Sequence, residues 1–225
     1  GDGNSINFGS SDWEPGDIAI VLNRAGSTSG GAVAPTAPSD FEIVAQDADG
    51  AANGVTGVIS AKILEEGETT TLTTMSPGGA AAAQWMILIF RLNVPIQGFQ
   101  FKSRNDFTSQ PNTTTPTQTI DVESETVFPI LAVGMMGSSP NSGTPRVHTG
   151  MTEEVGGTAF WGHWALHNAG STPTNHEYRL PQGTATNLVM MSGYFIFSGA
   201  ALLQVDSTVV RTGAITGSGL TMATA

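Results

Sequence analysis

The chain of 225 residues is sparsely charged, at 12% Asp, Glu, Lys and Arg, and its 8 Lys+Arg against 19 Asp+Glu leave a net charge of −11. Lys62 and Lys102 are the only lysines, so nucleic-acid binding by phosphate neutralisation and membrane anchoring by a polybasic patch are both excluded. The absence of cysteine removes a disulfide framework, a thiolate nucleophile and a Cys-based zinc site, and no apolar run approaches the about 18–20 residues of a membrane-crossing helix.

The 28 Gly and 12 Pro, with abundant Thr and Ser, predict many strands joined by turns, and apolar periodicity is two nearly everywhere. Asp17-Ile18-Ala19-Ile20-Val21-Leu22-Asn23-Arg24 reads as a strand that leaves the turn Glu14-Pro15-Gly16. A loop rich in Gly, Ser and Pro follows from Gly26 to Ser39, then a short strand from Phe41 to Ala45 and a turn at Asp47-Ala48-Asp49-Gly50. Val55 to Leu64 is a strand closed by Glu65-Glu66-Gly67-Glu68, and Thr69 to Met75 alternates as a half-exposed strand does. Gln84 to Leu92 is apolar enough to be buried on both faces. Residues 97–119 read as a loop-like crossing that ends in Gln110-Pro111-Asn112-Thr113-Thr114-Thr115-Pro116. Further strands are predicted at 117–122, 128–136, 146–153, 158–167, 175–180 and 187–198. Ala80 to Ala83 has helix-forming composition, but Pro77-Gly78-Gly79 before it and the bulky residues after it favour a strand. No helix is predicted.

The order of elements repeats. Residues 15–92 run as a strand with a Ser-rich loop, a short strand, a strand ending in a Gly turn, an alternating strand and a long apolar strand. Phe128 to Met136 before Ser138-Ser139-Pro140, Phe160 to His167, His176 to Leu180 and Leu188 to Phe197 follow the same order. The segment 108–117 is then the crossing between two halves of one sandwich. Beyond Ser198-Gly199 the chain carries little charge. Leu202, Leu203, Val205, Val209, Val210, Ile215 and Leu220 are spaced apolar residues among glycines, a poor composition for a solvated tail. The expectation is an arm, residues 200–225, that adds strands to a neighbouring subunit's edge, with a terminal hairpin on its own sheet as the alternative.

Few residues offer chemistry. The four histidines are His148, His163, His167 and His176. On a strand, His163 and His167 share a face with Trp161 and Ala165 but stand about 13 Å apart, too far to bind one metal at about 2 Å. A face of His and Trp within a sheet is the plain reading. The functional one is a glycan platform in which Trp161 stacks on a sugar ring and His163 donates hydrogen bonds. Asp47-Ala48-Asp49-Gly50 starts like a calcium loop, but it lacks the later oxygen ligands and flanking helices, so it reads as a turn. No nucleophile elbow or phosphate loop occurs, and no carboxylate pair is set across a cleft. Neither a catalytic residue nor a metal or other cofactor is expected. The first residues, Gly1-Asp2-Gly3-Asn4-Ser5-Ile6, have neither the basic start nor the apolar stretch of a secretory signal.

Three segments carry a resemblance: Pro15-Gly16-Asp17-Ile18-Ala19-Ile20-Val21, then Ala37-Pro38-Ser39-Asp40-Phe41, then Ser60-Ala61-Lys62-Ile63-Leu64-Glu65-Glu66-Gly67-Glu68-Thr69, followed by the apolar strand Trp85 to Arg91. In this order they resemble a β-sandwich module of tailed-bacteriophage virion proteins, over roughly residues 12–199. The resemblance implies a structural or adhesive role on a virus particle, in a symmetric oligomer, and brings no catalytic residues. The long repetitive shaft of a fibre is missing.

The expectation is therefore an all-β protein: a single β-sandwich with jelly-roll-like topology (residues 1–199) and a C-terminal arm or hairpin (200–225). The expected function is a non-enzymatic bacteriophage virion structural protein, a capsid decoration or cement protein assembled in the bacterial host cytoplasm. Its expected partners are other virion proteins and further copies of itself, with a trimer favoured. The alternatives are a tail-fibre module recognising a host-surface glycan and, further off, a carbohydrate-active enzyme.

Overall fold

The computed structural model describes residues 5–7, 13–26, 35–47, 55–68, 71–73, 82–92, 96–109, 117–139, 147–157, 160–168, 170–179, 187–198, 205–216 and 219–224. Among them every regular element is a strand, as the period-two pattern demands. The first half of the chain holds β1 (Ser5–Asn7), β2 (Ile18–Gly26), β3 (Glu42–Asp47), β4 (Val55–Ile63), β5 (Thr71–Thr73), β6 (Ala82–Leu92) and β7 (Gly98–Ser109). The second holds β8 (Thr117–Ile120), β9 (Ile130–Ser139), β10 (Val147–Thr149), β11 (Thr152–Gly157), β12 (Phe160–His167), β13 (His176–Arg179), β14 (Asn187–Ser198), β15 (Val205–Thr216) and β16 (Gly219–Thr224). A six-stranded sheet has the order β16-β15-β6-β2-β4-β3 and a five-stranded sheet the order β11-β12-β9-β14-β7; small sheets β10-β13-β8 and β1-β5 complete the set. All pairings are antiparallel.

The repeated order of elements is a repeated topology. β2, β3, β4 and β6 stand side by side as β6-β2-β4-β3, and β9, β11, β12 and β14 as β14-β9-β12-β11. The small pairs correspond as well, β1 with β5 and β8 with β13. The strand that follows each set crosses to the other: β7 pairs with β14, and β15 pairs with β6. Both exchanged strands are 12 residues long, and both ladders carry one register shift. Corresponding edge strands β3 and β11 also each carry one. The sandwich closes in the same way on both sides, β3 lying against β7 and β11 against β15.

Alternation along the strands sets the layers. Ile18, Ile20 and Leu22 of β2, Met86, Leu88 and Phe90 of β6, Leu131, Val133 and Met135 of β9, and Val189, Met191 and Phe195 of β14 fill one buried layer between the two large sheets. Each such side chain contributes about 1.5–3 kcal/mol by leaving water. The opposite face of β6 and β2 buries Trp85, Ile87, Ile89, Ala19 and Val21 with Phe41 and Leu64. The opposite face of the five-stranded sheet buries Ile130, Ala132, Met136, Trp161, Leu188 and Met190 with Ile120, Val122 and Tyr178. Both β6 and β14 are thus covered on two faces, as their continuous apolar runs predict.

Three expectations change. β7 occupies most of the segment read as a crossing loop: its alternation, Phe99 and Phe101 against Gln100 and Lys102, is broken after four residues by Ser103, whose φ is 51°, at the register shift against β14. The strand expected over 146–153 is two, because Gly150 takes a φ of 67° and turns the chain from β10 to β11. Residues 205–216 pair with β6 of the same chain, so β15 is an integral strand of the six-stranded sheet rather than an arm on a neighbour, and its hairpin partner is β16.

Candidate functional site

The chemistry-bearing side chains gather between the five-stranded sheet and the small sheet β10-β13-β8. β12 turns Phe160, Gly162, Trp164 and Leu166 toward the six-stranded sheet and Trp161, His163, Ala165 and His167 the other way, as strand alternation requires. β13 answers with buried His176 and Tyr178, its intervening Glu177 and Arg179 remaining exposed. The Tyr178 ring stacks on His163 with centroids 4.8 Å apart and lies over Gly134 of β9, where a Cβ would come within 2.7 Å of it. Its hydroxyl donates to the Met191 carbonyl at 2.7 Å. Exposed His148 on β10 has its ring centroid 5.7 Å from that of His163.

His163 is fully buried, and its Nε2 lies 3.2 Å from the carboxylate of Glu153, its direct cross-strand neighbour. His167, on the same face, meets a different partner. Its Nε2 lies 2.8 Å from Nε2 of His176, both rings buried. Nδ1 of His176 lies 3.4 Å from the Thr149 carbonyl, which can only accept. His176 therefore carries its proton on Nδ1 and accepts at Nε2, and His167 donates from Nε2. Burial lowers both imidazole pKa values, and for His176 the neighbouring His167 lowers it further. The two histidines of β12 thus engage separate partners, as their spacing predicts. Among the described residues no group of three or more His, Asp or Glu side chains is placed to hold a metal ion.

Several other ionisable groups link separate elements. The Glu125 carboxylate accepts from Lys102 Nζ at 2.7 Å, from the Tyr194 hydroxyl at 3.1 Å and from the backbone N–H groups of Thr126 and Val127. Burial alone would raise its pKa, but these donors outweigh it and hold the carboxyl at about 2. Asp17 accepts from Arg91 and from the Glu14 backbone N–H, tying the start of β2 to the end of β6. Lys62, near the end of β4, pairs at 2.6 Å with Glu68 of the turn that follows. Arg24 lies inside the sandwich, 6% exposed, donating to Gln84; burial lowers its pKa to about 10.

The glycan platform does not form. Trp161 is 2% exposed and His163 0%, so neither presents a face to a sugar; the side of β12 they share is covered by β13. Trp164 packs edge-on against Phe90, and its indole N–H donates to Glu154. Of the arm residues, Val205, Val209, Val210 and Ile215 belong to β15, which pairs on both sides within the chain. Leu220 belongs to β16, and Leu202 and Leu203 lie outside the described residues. Most of the would-be calcium loop, 48–54, also lies outside them. Sequence reasoning missed the His167–His176 pair and the Lys102–Glu125–Tyr194 link. The period-two pattern of His176-Glu177-Tyr178-Arg179 signals an inward-facing histidine, but only the order β10-β13-β8 decides what it meets. No protein-family model, curated protein or solved structure matches the chain.

Proposed function

We propose that this protein is a non-enzymatic structural component of a bacteriophage virion, a decoration or cement protein of the capsid, and that its partners are neighbouring virion subunits and further copies of itself. The observation that carries the reading is the use made of the segments that resemble virion modules. In the Pro15-Gly16-Asp17 segment, Gly16 takes a φ of 92°, its N–H donates to Leu64, and Leu64 N–H donates back to Asp17. The Asp17 carboxylate then fastens Arg91. The motif thus joins the start of β2, the Gly-Glu turn and β6, a structural task that needs no reacting group. The exchange of β7 and β15 between halves locks the two sheets together through backbone ladders.

The test is purification of phage particles made with a tagged copy of the chain, followed by stoichiometry and imaging of the particle. A fixed ratio to the major capsid protein supports the proposal. Absence from washed particles overturns it. Binding of the isolated protein to host cells would favour the tail-module alternative, and turnover of a polysaccharide the enzyme.

A further inference from the structure

The edges of the two large sheets differ in a way that marks one of them for assembly. An edge strand offers a row of unpaired backbone N–H and C=O groups, and proteins guard such edges with charges, bulges or covering elements. β3 carries Glu42 and Asp47 and a register shift between Ile43 and Ala45. β11 carries Glu153 and Glu154 and a shift between Val155 and Gly157. β7 carries Lys102, Arg104 and Asp106 and a shift, and Arg104 reaches across to the Gln46 carbonyl of β3. β16, Gly219-Leu220-Thr221-Met222-Ala223-Thr224, has no charge and no proline. Its register against β15 is continuous from Arg211↔Thr224 to Thr216↔Gly219. Among the described residues it pairs with β15 alone. It is also the one strand of the large sheets without a counterpart in the repeat, since the chain after β7 leaves the five-stranded sheet to form β8.

We infer that β16 is an assembly edge, and that its occupant is β16 of a second copy of this chain, paired antiparallel about a two-fold axis to join two six-stranded sheets into one. Charge selects this occupant. Two copies meeting through β3 or β11 would set acidic residues against acidic residues, in a protein that already carries −11, whereas β16 meets its own copy with no charge opposed. The backbone supplies the hydrogen bonds, as in other strand additions, and an isologous contact closes at two subunits. The inference sharpens the self-association in the proposed function but does not need the virion, so each can fail alone.

The experiment is sedimentation equilibrium of the full chain, beside the double variant Leu220→Lys/Met222→Lys, with circular dichroism on both. The expected result is a mass twice that of the chain for the wild type, falling to that of one chain in the variant with the strand spectrum kept. A wild-type monomer overturns the inference, as does a dimer that survives both lysines. A mass of three chains, the state that the virion resemblance favours, also overturns it, because a two-fold edge contact closes at two. Should the variant fail to fold, amide hydrogen exchange of the wild type decides. Protection in 219–224 that rises with protein concentration supports the contact, and rapid exchange independent of concentration overturns it.

Discussion

Tyr178 is held at three points: its ring by His163 on one side and by the bare backbone of Gly134 on another, its hydroxyl by the Met191 carbonyl. A Cβ at position 134 would lie 2.7–2.8 Å from two ring carbons of Tyr178 and 3.0 Å from its hydroxyl oxygen, and the side chain cannot retreat without breaking its hydrogen bond. Gly134→Val should therefore cost about 1–3 kcal/mol, as overpacking does, read as a lower urea midpoint. In a Tyr178→Ala background the same change should cost less, because the clash is gone; a strictly additive double mutant would refute the contact. Glu125 works by charge. Its carboxyl sits at about 2 when folded against an ordinary 4.5, so its stabilisation is complete above 4.5 and is lost as pH falls toward 2. Glu125→Gln should be less stable than the wild type at neutral pH, and the two should converge in acid melts.

At the scale of elements, the sheet β10-β13-β8 is tied to the five-stranded sheet by the buried His167–His176 pair. The pKa values of His167 and His176 lie below the ordinary 6.5 when folded. The unfolded chain therefore takes up protons first as pH falls, and stability is full above 6.5 and declines below it. His176→Leu alone strands the buried N–H of His167 and should cost about 1–3 kcal/mol, whereas replacing both partners, His167→Phe/His176→Leu, should cost less. The double variant should also lose part of the decline between neutral pH and pH 5 in thermal melts; an unchanged profile would show that the pair does not carry it. Legibility followed the same boundary between local and non-local information. The facing of β12 was readable because alternation is a property of one strand. The partners of its histidines were not, because they depend on which strand of a third layer lies opposite. β7 was hidden by Ser103 resetting its alternation, and the role of residues 205–216 was hidden because apolar spacing is the same for a strand added to one's own sheet or to another's.

For the whole molecule, the repeat and its exchanged strands decide what can be cut. Each large sheet holds four strands from one half and an exchanged strand from the other, β7 along nearly all of β14 and β15 along all of β6, with β16 added beyond β15 in the six-stranded sheet. The halves also share the apolar layer between the sheets. Severing the backbone between them removes one covalent link and leaves both ladders and that layer intact. A protease site inserted into the Gln110–Pro116 stretch should thus be cleavable without separating the products. The cut protein should co-elute as one particle under native conditions and give two fragments only in denaturant. Its melting temperature should fall and become concentration-dependent, since refolding now brings two chains together. Removal of residues 200–225 should be far more damaging, because it strips β15 from β6 and turns a strand buried from Gln84 to Phe90 into an open edge. The truncated chain should be insoluble, or recovered only as aggregate, where the cut protein stays in solution. Fragments that drift apart after cleavage, or a truncated chain as stable as the whole, would mean that the exchanged strands do not hold the halves together.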